Sequence, residues 1–293
     1  MVELRAVGED RFARSYAGDV YNTAVYLKRS LPSAQVQFVS ATGDDAMSIA
    51  MRRAWRAERI DDSLAASVSG GSPGLYLIET DAFGERCFQY WRSQSAARQW
   101  LALLLQEGES RLWGADMIYF SGITLAILAA EQRREALELM RRLRPHVGRI
   151  AFDPNVRLKL WESPASAAAS INAAIAICDI LLPSADDLAW LLQVDSTTRQ
   201  LELLRKMGVK EIALTLGARG CVVADAEASA EIPNPAVERV VDTSGAGDSF
   251  NGAYLAIRLQ GKTPAQAAEE GLLLASRVVT HAGAIVPAAV SHP

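Results

Sequence analysis

A glycine-rich turn followed by a carboxylate lies in the last fifth of the chain, between residues 240 and 250. Val240 and Val241 predict a strand, Gly245-Ala246-Gly247 predicts a tight turn, and the apolar spacing after Asp248 predicts a helix. A helix N-terminus behind glycines exposes unpaired N–H groups and the positive end of the helix dipole, which together form an anion site. A carboxylate there is suited to take a proton from a hydroxyl while the N–H groups stabilise a transferring phosphoryl group.

The same turn also has a purely structural interpretation. Asp248 in the first turn of a helix stabilises the helix dipole whether or not it does chemistry, and the local spacing does not decide between these roles. Two nucleotide-binding motifs are excluded. No Lys-Ser or Lys-Thr pair follows the glycines, as a Walker A loop requires, and Phe250 stands where a dinucleotide fingerprint has its third glycine.

The composition is that of an ordinary globular chain and excludes several classes of protein. The 293 residues are 50% hydrophobic and 22% charged, which suits one large α/β domain or two small ones. The net charge of -4, without a basic tract, argues against a nucleic-acid partner. The cysteines, Cys87, Cys178 and Cys221, form neither a disulfide framework nor a zinc motif. A charged N-terminus and the lack of an apolar run of ~20 residues predict a cytoplasmic protein without a membrane span.

Short apolar strands alternate with amphipathic helices between residues 116 and 216. Strands are predicted at 116–122, 149–153, 179–183 and 211–216, and helices at 125–144, 163–176, 185–192 and 197–207. This alternation predicts an α/β fold with a parallel sheet covered by helices on both faces. Ligands of such sheets bind at the carboxyl ends of the strands.

Polar or glycine-rich residues follow three of these strands. Asp153-Pro154-Asn155-Val156-Arg157 follows the second, Ser184-Ala185-Asp186-Asp187 the third, and Gly217-Ala218-Arg219-Gly220 the fourth. With the turn before Asp248, four such segments are predicted to meet at one edge of the sheet. Because the four coincide, the sequence predicts a ligand site at this edge.

The N-terminal third supplies a helix and a hairpin. A helix is predicted from Asp19 to about residue 29, and Asp19 is interpreted either as its N-cap or as a carboxylate that binds a hydroxyl-rich ligand. A hairpin is predicted from strands 75–80 and 86–92 around a turn at 81–85. Its aromatic residues and arginine favour a lid or an interface over plain core. Residues 11–18 are predicted to be a loop, and 36–40 and 237–241 to be strands.

The segment from Asp242 to Gly252 resembles the signature of the ribokinase-like (PfkB) carbohydrate kinases. The resemblance covers nearly the whole chain and includes the helix at Asp19, the hairpin and the segment that starts at Thr215. It implies a ribokinase-like three-layer α/β/α fold in a single domain, 1–293, with a mostly parallel central sheet and a small β-sheet lid formed by about 1–18 and 66–92. It also implies a first strand before Met1, of which residues 1–4 are the remaining end.

The resemblance implies a role for each motif residue. Asp248 is the base that activates the sugar hydroxyl, and Gly245, Ala246 and Gly247 supply the N–H groups of the anion hole. The residues implied to bind the sugar are Gly18, Asp19, Asn22, Tyr76, Tyr90, Arg92 and Arg157. The residues implied to line the ATP site are Ser184, Thr215, Gly217, Arg219 and Gly220.

The resemblance also implies metal ions. Asp187 is implied to act on Mg²⁺ through water, with Ser184 in place of the asparagine found in many relatives. A monovalent cation, K⁺, beside Asp242 and Thr243 is left open.

Within the family, segments 17–24, 90–93 and 153–161 resemble the branch that phosphorylates 2-keto-3-deoxygluconate to its 6-phosphate with ATP. A ketodeoxy acid carries a carboxylate, for which Arg92 and Arg157 offer bidentate donors, although Arg157 suits the transferring phosphate equally well. The implied partners are a sugar acid, ATP and, through the aromatic residues of the lid, a second copy of the chain in a homodimer.

Two other functions remain open on the sequence. A kinase of the same family for another sugar or a nucleoside needs Asp248 but not both Arg92 and Arg157. A catalytically silent regulator that binds ATP or sugar is the alternative from a different class, because a missing first strand would put activity in doubt.

Overall fold

The computed structural model describes residues 1–8, 10–80, 86–225 and 228–291. The strands are β1 (Val2–Gly8), β2 (Arg11–Tyr16), β3 (Ser40–Gly43), β4 (Ala65–Val68), β5 (Leu75–Thr80), β6 (Arg86–Trp91), β7 (Met117–Ser121), β8 (Arg149–Asp153), β9 (Ile180–Leu181), β10 (Glu211–Thr215), β11 (Cys221–Asp225) and β12 (Ser229–Ile232). The helices are α1 (Asp19–Ser30), α2 (Ala46–Ala57), α3 (Trp100–Glu107), α4 (Gly122–Ala126), α5 (Ala130–Leu143), α6 (Pro164–Ile175), α7 (Ala185–Leu192), α8 (Thr197–Lys206), α9 (Ala246–Leu259), α10 (Pro264–Val278) and α11 (Ala288–Ser291). Among the described helices, none is both long and apolar enough to cross a membrane.

The main sheet has the strand order β12-β11-β10-β9-β8-β7. Strands β7 to β10 are parallel, and β11 and β12 extend the sheet antiparallel. Both faces are buried, because Ile150 and Phe152 of β8 pack into a core with α3 to α8, while Ala151 between them packs into a second core with α9 and α10. The predicted three-layer α/β/α fold with a mostly parallel sheet is confirmed.

Helices α1 and α9 pack closely against each other. A Cβ atom added to Gly252 of α9 would lie 2.7 Å from the carbonyl oxygen of Thr23 and from Cβ of Tyr26, both in α1. A larger residue at this position would therefore push the two helices apart. This contact brings the first turn of α1 beside the first turn of α9, so that Asn22 reaches Asp248.

A small four-stranded sheet, with the order β2-β1-β5-β6, is separate from the main sheet. It contains the predicted hairpin, in which Tyr76 pairs with Tyr90 and Ile78 pairs with Phe88, so these four side chains lie on one face of the sheet. The predicted turn at 81–85 lies outside the described residues. Strands β3 and β4 form a further parallel pair.

The start of the chain differs from its prediction. Residues 11–18 were expected to form a loop, but Arg11–Tyr16 is strand β2, an exposed edge strand paired with β1. Edge strands carry charged residues readily, which is why this strand has the composition of a loop. Residues 1–4 were expected to be the end of a strand, whereas Val2 begins β1, which runs to Gly8 in the small sheet.

Three internal predictions are also wrong in place or extent. The strand expected at 36–40 is β3 (Ser40–Gly43), and Gln37 forms only an isolated bridge with Asp61. The helix expected at 125–144 is divided into α4 and α5. Segment 237–241 forms no strand, because Val240 and Val241 are about half exposed and lie beside the end of α10 instead of another strand. Strand propensity depends on such a neighbour.

Candidate active site

A cavity of about 270 Å³ lies at the carboxyl ends of β8, β9 and β10, beside the N-terminus of α9. Its lining residues are Asp153, Asn155, Arg157, Leu182, Ser184, Asp187, Thr215, Thr243, Ser244, Gly245, Gly247, Asp248 and Asn251. An isolated bridge between Ser184 and Thr215 continues the pairing of β9 and β10 up to the cavity. The cavity thus brings together three of the four polar segments: 153–157, 184–187 and the turn before Asp248. The segment 217–220 does not line it, although Thr215 of the preceding strand does.

The turn before α9 depends on a glycine. Gly245 is the N-cap residue with a φ of 75°, which is a left-handed conformation that favours glycine. A Cβ atom at Gly245 would lie 2.3 Å from the carbonyl oxygen of Ala284. The N–H of Ala246 donates to the Thr243 carbonyl oxygen, whereas those of Gly247 and Asp248 have no backbone acceptor in the described part of the chain. The N–H of Gly245 likewise has no backbone acceptor in the described residues, so Gly245, Gly247 and Asp248, and not Ala246, have backbone N–H groups available to an anion.

Asp248 lies in the first turn of α9 and accepts a 2.7 Å hydrogen bond from Nδ2 of Asn22. Burial and then the charge of Asp19 raise the pKa of Asp248 to about 7, while the hydrogen bond from Asn22 and the charge of Arg157 oppose this shift. A carboxylate with such a pKa is basic enough to accept a proton near neutral pH. Asn22 is itself fixed, because its Oδ1 accepts the N–H of Gly18.

Asp19, at the start of α1, is held by residues from the ends of two strands of the main sheet. Its Oδ2 accepts hydrogen bonds from Oγ of Ser121, at the end of β7, and from Nδ2 of Asn155, after β8. The side chain does not cap α1, for which no side-chain cap is formed at Gly18. Of the two roles left open, the N-cap role is therefore excluded, and Oδ1 accepts no hydrogen bond from the described residues.

Asp153 also lines the cavity. The sequence analysis placed it at the start of the polar segment 153–157 but did not predict it as a site residue. Its Oδ2 accepts Nδ2 of Asn251 at 2.9 Å and its Oδ1 accepts the N–H of Asn155 at 2.9 Å. Burial, followed by the charges of Asp187, Asp248 and Asp19, raises the pKa of Asp153 well above its usual range. The neighbouring carboxylates thus disfavour the ionised form of Asp153, and a cation in the cavity would favour that form.

Asp187 lies at the rim between β8 and β9. It is in the first turn of α7, whose N-cap Ser184 accepts the N–H of Asp187 through Oγ, and its Oδ1 accepts the N–H of Val156. Burial raises the pKa of Asp187. In the described part of the chain, no group of three or more His, Cys, Asp or Glu side chains could hold a metal ion by itself.

Two arginines approach this region without an ion-pair partner in the described part of the chain. Arg157 lines the cavity and donates to the carbonyl oxygen of Val156. Arg92 follows β6, and its guanidinium lies 4.3 Å from the ring centre of Tyr90. Burial lowers the pKa of Arg92, the charge of Arg157 acts in the same direction, and Asp19 opposes both. Arg92 and Arg157 are thus close enough to influence each other across the gap between the two sheets.

The remaining predicted residues lie farther from the cavity. Tyr76 and Tyr90 are adjacent in the small sheet, with ring centres 5.8 Å apart. Gly217, Arg219 and Gly220 form the turn after β10 and do not line the cavity. Asp242 is buried and accepts the N–H groups of Ser244 and Gly283, one on each oxygen.

Sequence reasoning missed several cavity residues, namely Asp153, Asn155, Leu182, Ser244 and Asn251. The sequence held a signal for three of them. Asp153 and Asn155 belong to the polar segment after the second predicted strand, and Asn251 follows Asp248 by three residues and therefore lies on the same face of α9. Asn155 carries a second signal only in the structure, a φ of 34°, which is uncommon for a residue with a side chain.

A family model described as pfkB family carbohydrate kinase matches residues 3–290. This chain belongs to the pfkB family of carbohydrate kinases, and the predicted resemblance is confirmed. It is 39% identical over 293 residues to the 2-dehydro-3-deoxygluconokinase of Dickeya dadantii (strain 3937), covering 98% of this chain and 94% of that protein. Identity to the protein of the same name from Escherichia coli (strain K12) is 38% over 297 residues, with coverage of 98% and 94%.

Solved structures agree with the fold. A PfkB protein from Polaromonas sp. JS666 superimposes with a TM-score of 0.84 at 26% identity, covering 95% of this chain and 92% of that chain. A fructokinase from Vibrio cholerae O395, in its fructose-, ADP- and calcium-bound form, has a TM-score of 0.83 at 22% identity, covering 97% and 91%. At this identity the second likeness concerns the fold alone.

Proposed function

We propose that this chain transfers the γ-phosphoryl group of ATP to the 6-hydroxyl of 2-keto-3-deoxygluconate, the 2-dehydro-3-deoxygluconate of its relatives' names. The observation that carries the proposal is Asp248, a carboxylate with a pKa of about 7 in the first turn of α9. Phosphoryl transfer requires a base close to groups that stabilise negative charge, and Asp248 lies beside backbone N–H groups that are available to an anion.

The reaction uses these groups in a simple order. Asp248 accepts the proton of the 6-hydroxyl, and the hydroxyl oxygen forms a bond to the γ-phosphorus while the bond to ADP breaks. The N–H groups of Gly247 and Asp248, with the dipole of α9, stabilise the charge on the transferring group. The small sheet, closing over the cavity, excludes water and limits hydrolysis of ATP.

The identity of the sugar rests on two independent supports. The relatives that match nearly the full chain at 38–39% identity are named for 2-dehydro-3-deoxygluconate. Arg92 and Arg157 offer two guanidinium groups without an ion-pair partner in the described part of the chain, and a sugar acid would supply a carboxylate for them. Asp19 is proposed to accept a sugar hydroxyl through Oδ1, which has no hydrogen bond from the described residues, while Ser121 and Asn155 bind Oδ2.

ATP and Mg²⁺ are the proposed cofactors. The donor set fits an ion held mainly by phosphates and water, because Asp187 and Asp153 are present but no three-carboxylate cluster is found in the described residues. Mg²⁺ there would neutralise charge on the β- and γ-phosphates. Thr215, Gly217, Arg219 and Gly220 remain the proposed nucleotide-side residues, and K⁺ beside Asp242 and Thr243 remains a proposal from the resemblance.

A homodimer through the small sheet is part of the proposal. Phe88, Tyr90 and Trp91 of β6 are about half exposed, and the rings of Phe88 and Tyr90 stack with their centres 6.3 Å apart. Exposed aromatic side chains at a sheet edge are typical of an interaction surface. Sedimentation at several concentrations measures the assembly. A monomer at all concentrations would contradict this part.

A substrate panel tests the function. ADP release is measured with 2-keto-3-deoxygluconate, its galactonate epimer, fructose and ribose, and we expect kcat/KM for the keto acids to exceed that for the neutral sugars by at least about 10²-fold. Fast turnover of fructose or ribose alone would refute the sugar acid as substrate. Calorimetric binding of ATP without turnover of any sugar would instead support the silent regulator.

A further inference from the structure

The small sheet contains a buried carboxylate to which the proposed reaction assigns no role. Glu3 of β1 is 2% exposed, and both of its oxygens are occupied. Oε1 accepts Nη2 of Arg5 at 2.8 Å and Oγ of Ser15 at 2.9 Å, while Oε2 accepts the hydroxyl of Tyr76. Glu3 thus connects three strands through side chains.

The contacts form a continuous row across the small sheet. Glu3 is paired in register with Ser15 of β2 on one side and with Tyr76 of β5 on the other, and Tyr76 is paired with Tyr90 of β6. Residues paired in register lie on the same face of a sheet. The row ends at Arg92, whose guanidinium lies over the ring of Tyr90.

We propose that Glu3 is a positioning residue for sugar binding: it holds the hydroxyl of Tyr76, and the packed rings of Tyr76 and Tyr90 hold Arg92 toward the cavity. The inference rests on the proposed function, because it assumes that Arg92 binds the carboxylate of the sugar acid. Since the Tyr76 hydroxyl donates to Glu3, Tyr76 contributes its ring to the substrate site and its hydroxyl to the sheet.

The chemistry of the position supports a functional role. Burying a carboxylate costs desolvation energy, and an apolar residue of similar size usually stabilises a fold at least as well. Glu3 accepts three hydrogen bonds, one of them from its ion-pair partner Arg5, and it gives the hydroxyl of Tyr76 a charged acceptor. A charged acceptor holds its donor more tightly than a neutral one, which suits the fixing of a ring in one orientation.

A double-mutant cycle tests the inference on the full chain. Glu3→Gln and Tyr76→Phe keep the size of each side chain, and each is expected to raise the KM of the sugar about tenfold, with the KM of ATP and kcat unchanged. The double variant is expected to be no worse than either single variant, because both changes remove the same interaction. Gln89→Ala is the matched control, since exposed Gln89 lies in β6 and donates to Glu79, which is outside the row.

Each outcome decides the matter. Additive losses in the cycle, an unchanged sugar KM in Tyr76→Phe, or an equal loss in Gln89→Ala would overturn the role of Glu3. If Glu3→Gln does not fold, Tyr76→Phe alone still supports the inference by a raised sugar KM or overturns it by an unchanged one. The kinetics use the sugar that the wild-type protein turns over best, so a failed keto-acid assay refutes the proposed substrate separately.

Discussion

Nδ2 of Asn22 donates a 2.7 Å hydrogen bond to Oδ2 of Asp248, although 226 residues separate the two in the chain. The bond joins the first turn of α1 to the first turn of α9, where close packing at Gly252 makes the approach possible. It stabilises the ionised form of Asp248 against burial and the charge of Asp19. The balance of these effects places the pKa of Asp248 where a base for a sugar hydroxyl is most useful.

Replacement of Asp248 by Asn should abolish most of the activity without unfolding the protein. The amide cannot accept the hydroxyl proton, and we expect kcat to fall by ~10²–10⁴-fold. Steady-state kinetics measure the loss, with Asp195→Asn, an exposed carboxylate outside the cavity, as the control. Intact turnover in Asp248→Asn would show that another group is the base.

The same variant should be more stable than the wild type at pH 8. The pKa of Asp248 is about 7 in the folded state against 3.8 for the free side chain, so the folded protein keeps a proton that the unfolded chain releases. Its contribution to stability is therefore present at low pH and is lost as pH rises from about 4 through about 7. Urea unfolding should show a gain for Asp248→Asn that is larger at pH 8 than at pH 4, and an equal gain at both would contradict the raised pKa.

The pH dependence of kcat/KM should report the same group. Activity should rise with pH through about 7 as Asp248 loses its proton, then reach a plateau. Asn22→Ala removes the hydrogen bond that lowers the pKa, so the rise should move to higher pH. Asp19→Asn removes a negative charge that raises it, so the rise should move to lower pH. A profile that stays in place in both variants would assign the rise to another group.

Gly245→Ala should damage the anion site. The added Cβ meets the carbonyl oxygen of Ala284 and the residue must keep a φ of 75°, which costs about 1–3 kcal/mol or shifts the turn. We expect a lower melting temperature together with a higher KM for ATP. Gly247→Ala is the folding control, because its Cβ meets nothing within 4 Å, and its melting temperature should equal that of the wild type. Equal melting temperatures for Gly245→Ala and the control would refute the close contact.

Asn155 combines backbone and side-chain roles that two variants can separate. Its φ is 34°, and its Nδ2 donates to Oδ2 of Asp19. Asn155→Ala loses the hydrogen bond to Asp19 and strains the backbone, while Asn155→Gly loses only the hydrogen bond. The free energy of unfolding of the Asn155→Ala variant should therefore be lower than that of Asn155→Gly by about 1 kcal/mol. Both should raise the KM of the sugar to a similar extent, because both release Asp19. A sugar KM that changes only in the Ala variant would assign the effect to the backbone.

Several parts of the fold follow from local sequence. The alternation between residues 116 and 216 is sufficient for the parallel sheet, and the hairpin at 75–80 and 86–92 is set by period-two spacing around a turn. The strand expected at 237–241 does not form, because a strand also needs a neighbouring strand, and the β-branched residues of this segment have none among the described residues. Strand β2 was missed because charged edge strands and loops have similar compositions.

By itself, the sequence determined the family, the alternating strands and helices between residues 116 and 216, and the turn that ends at Asp248, because backbone sterics and hydrophobic periodicity act over a few residues. The tertiary structure decided what that turn can do. It brought Asn22 to Asp248, placed Ser121 and Asn155 on Asp19, and linked Glu3 to Tyr76. These contacts join residues that are far apart in the chain, and burial and charge, which set the pKa of Asp248, arise only when the helices and sheets have packed.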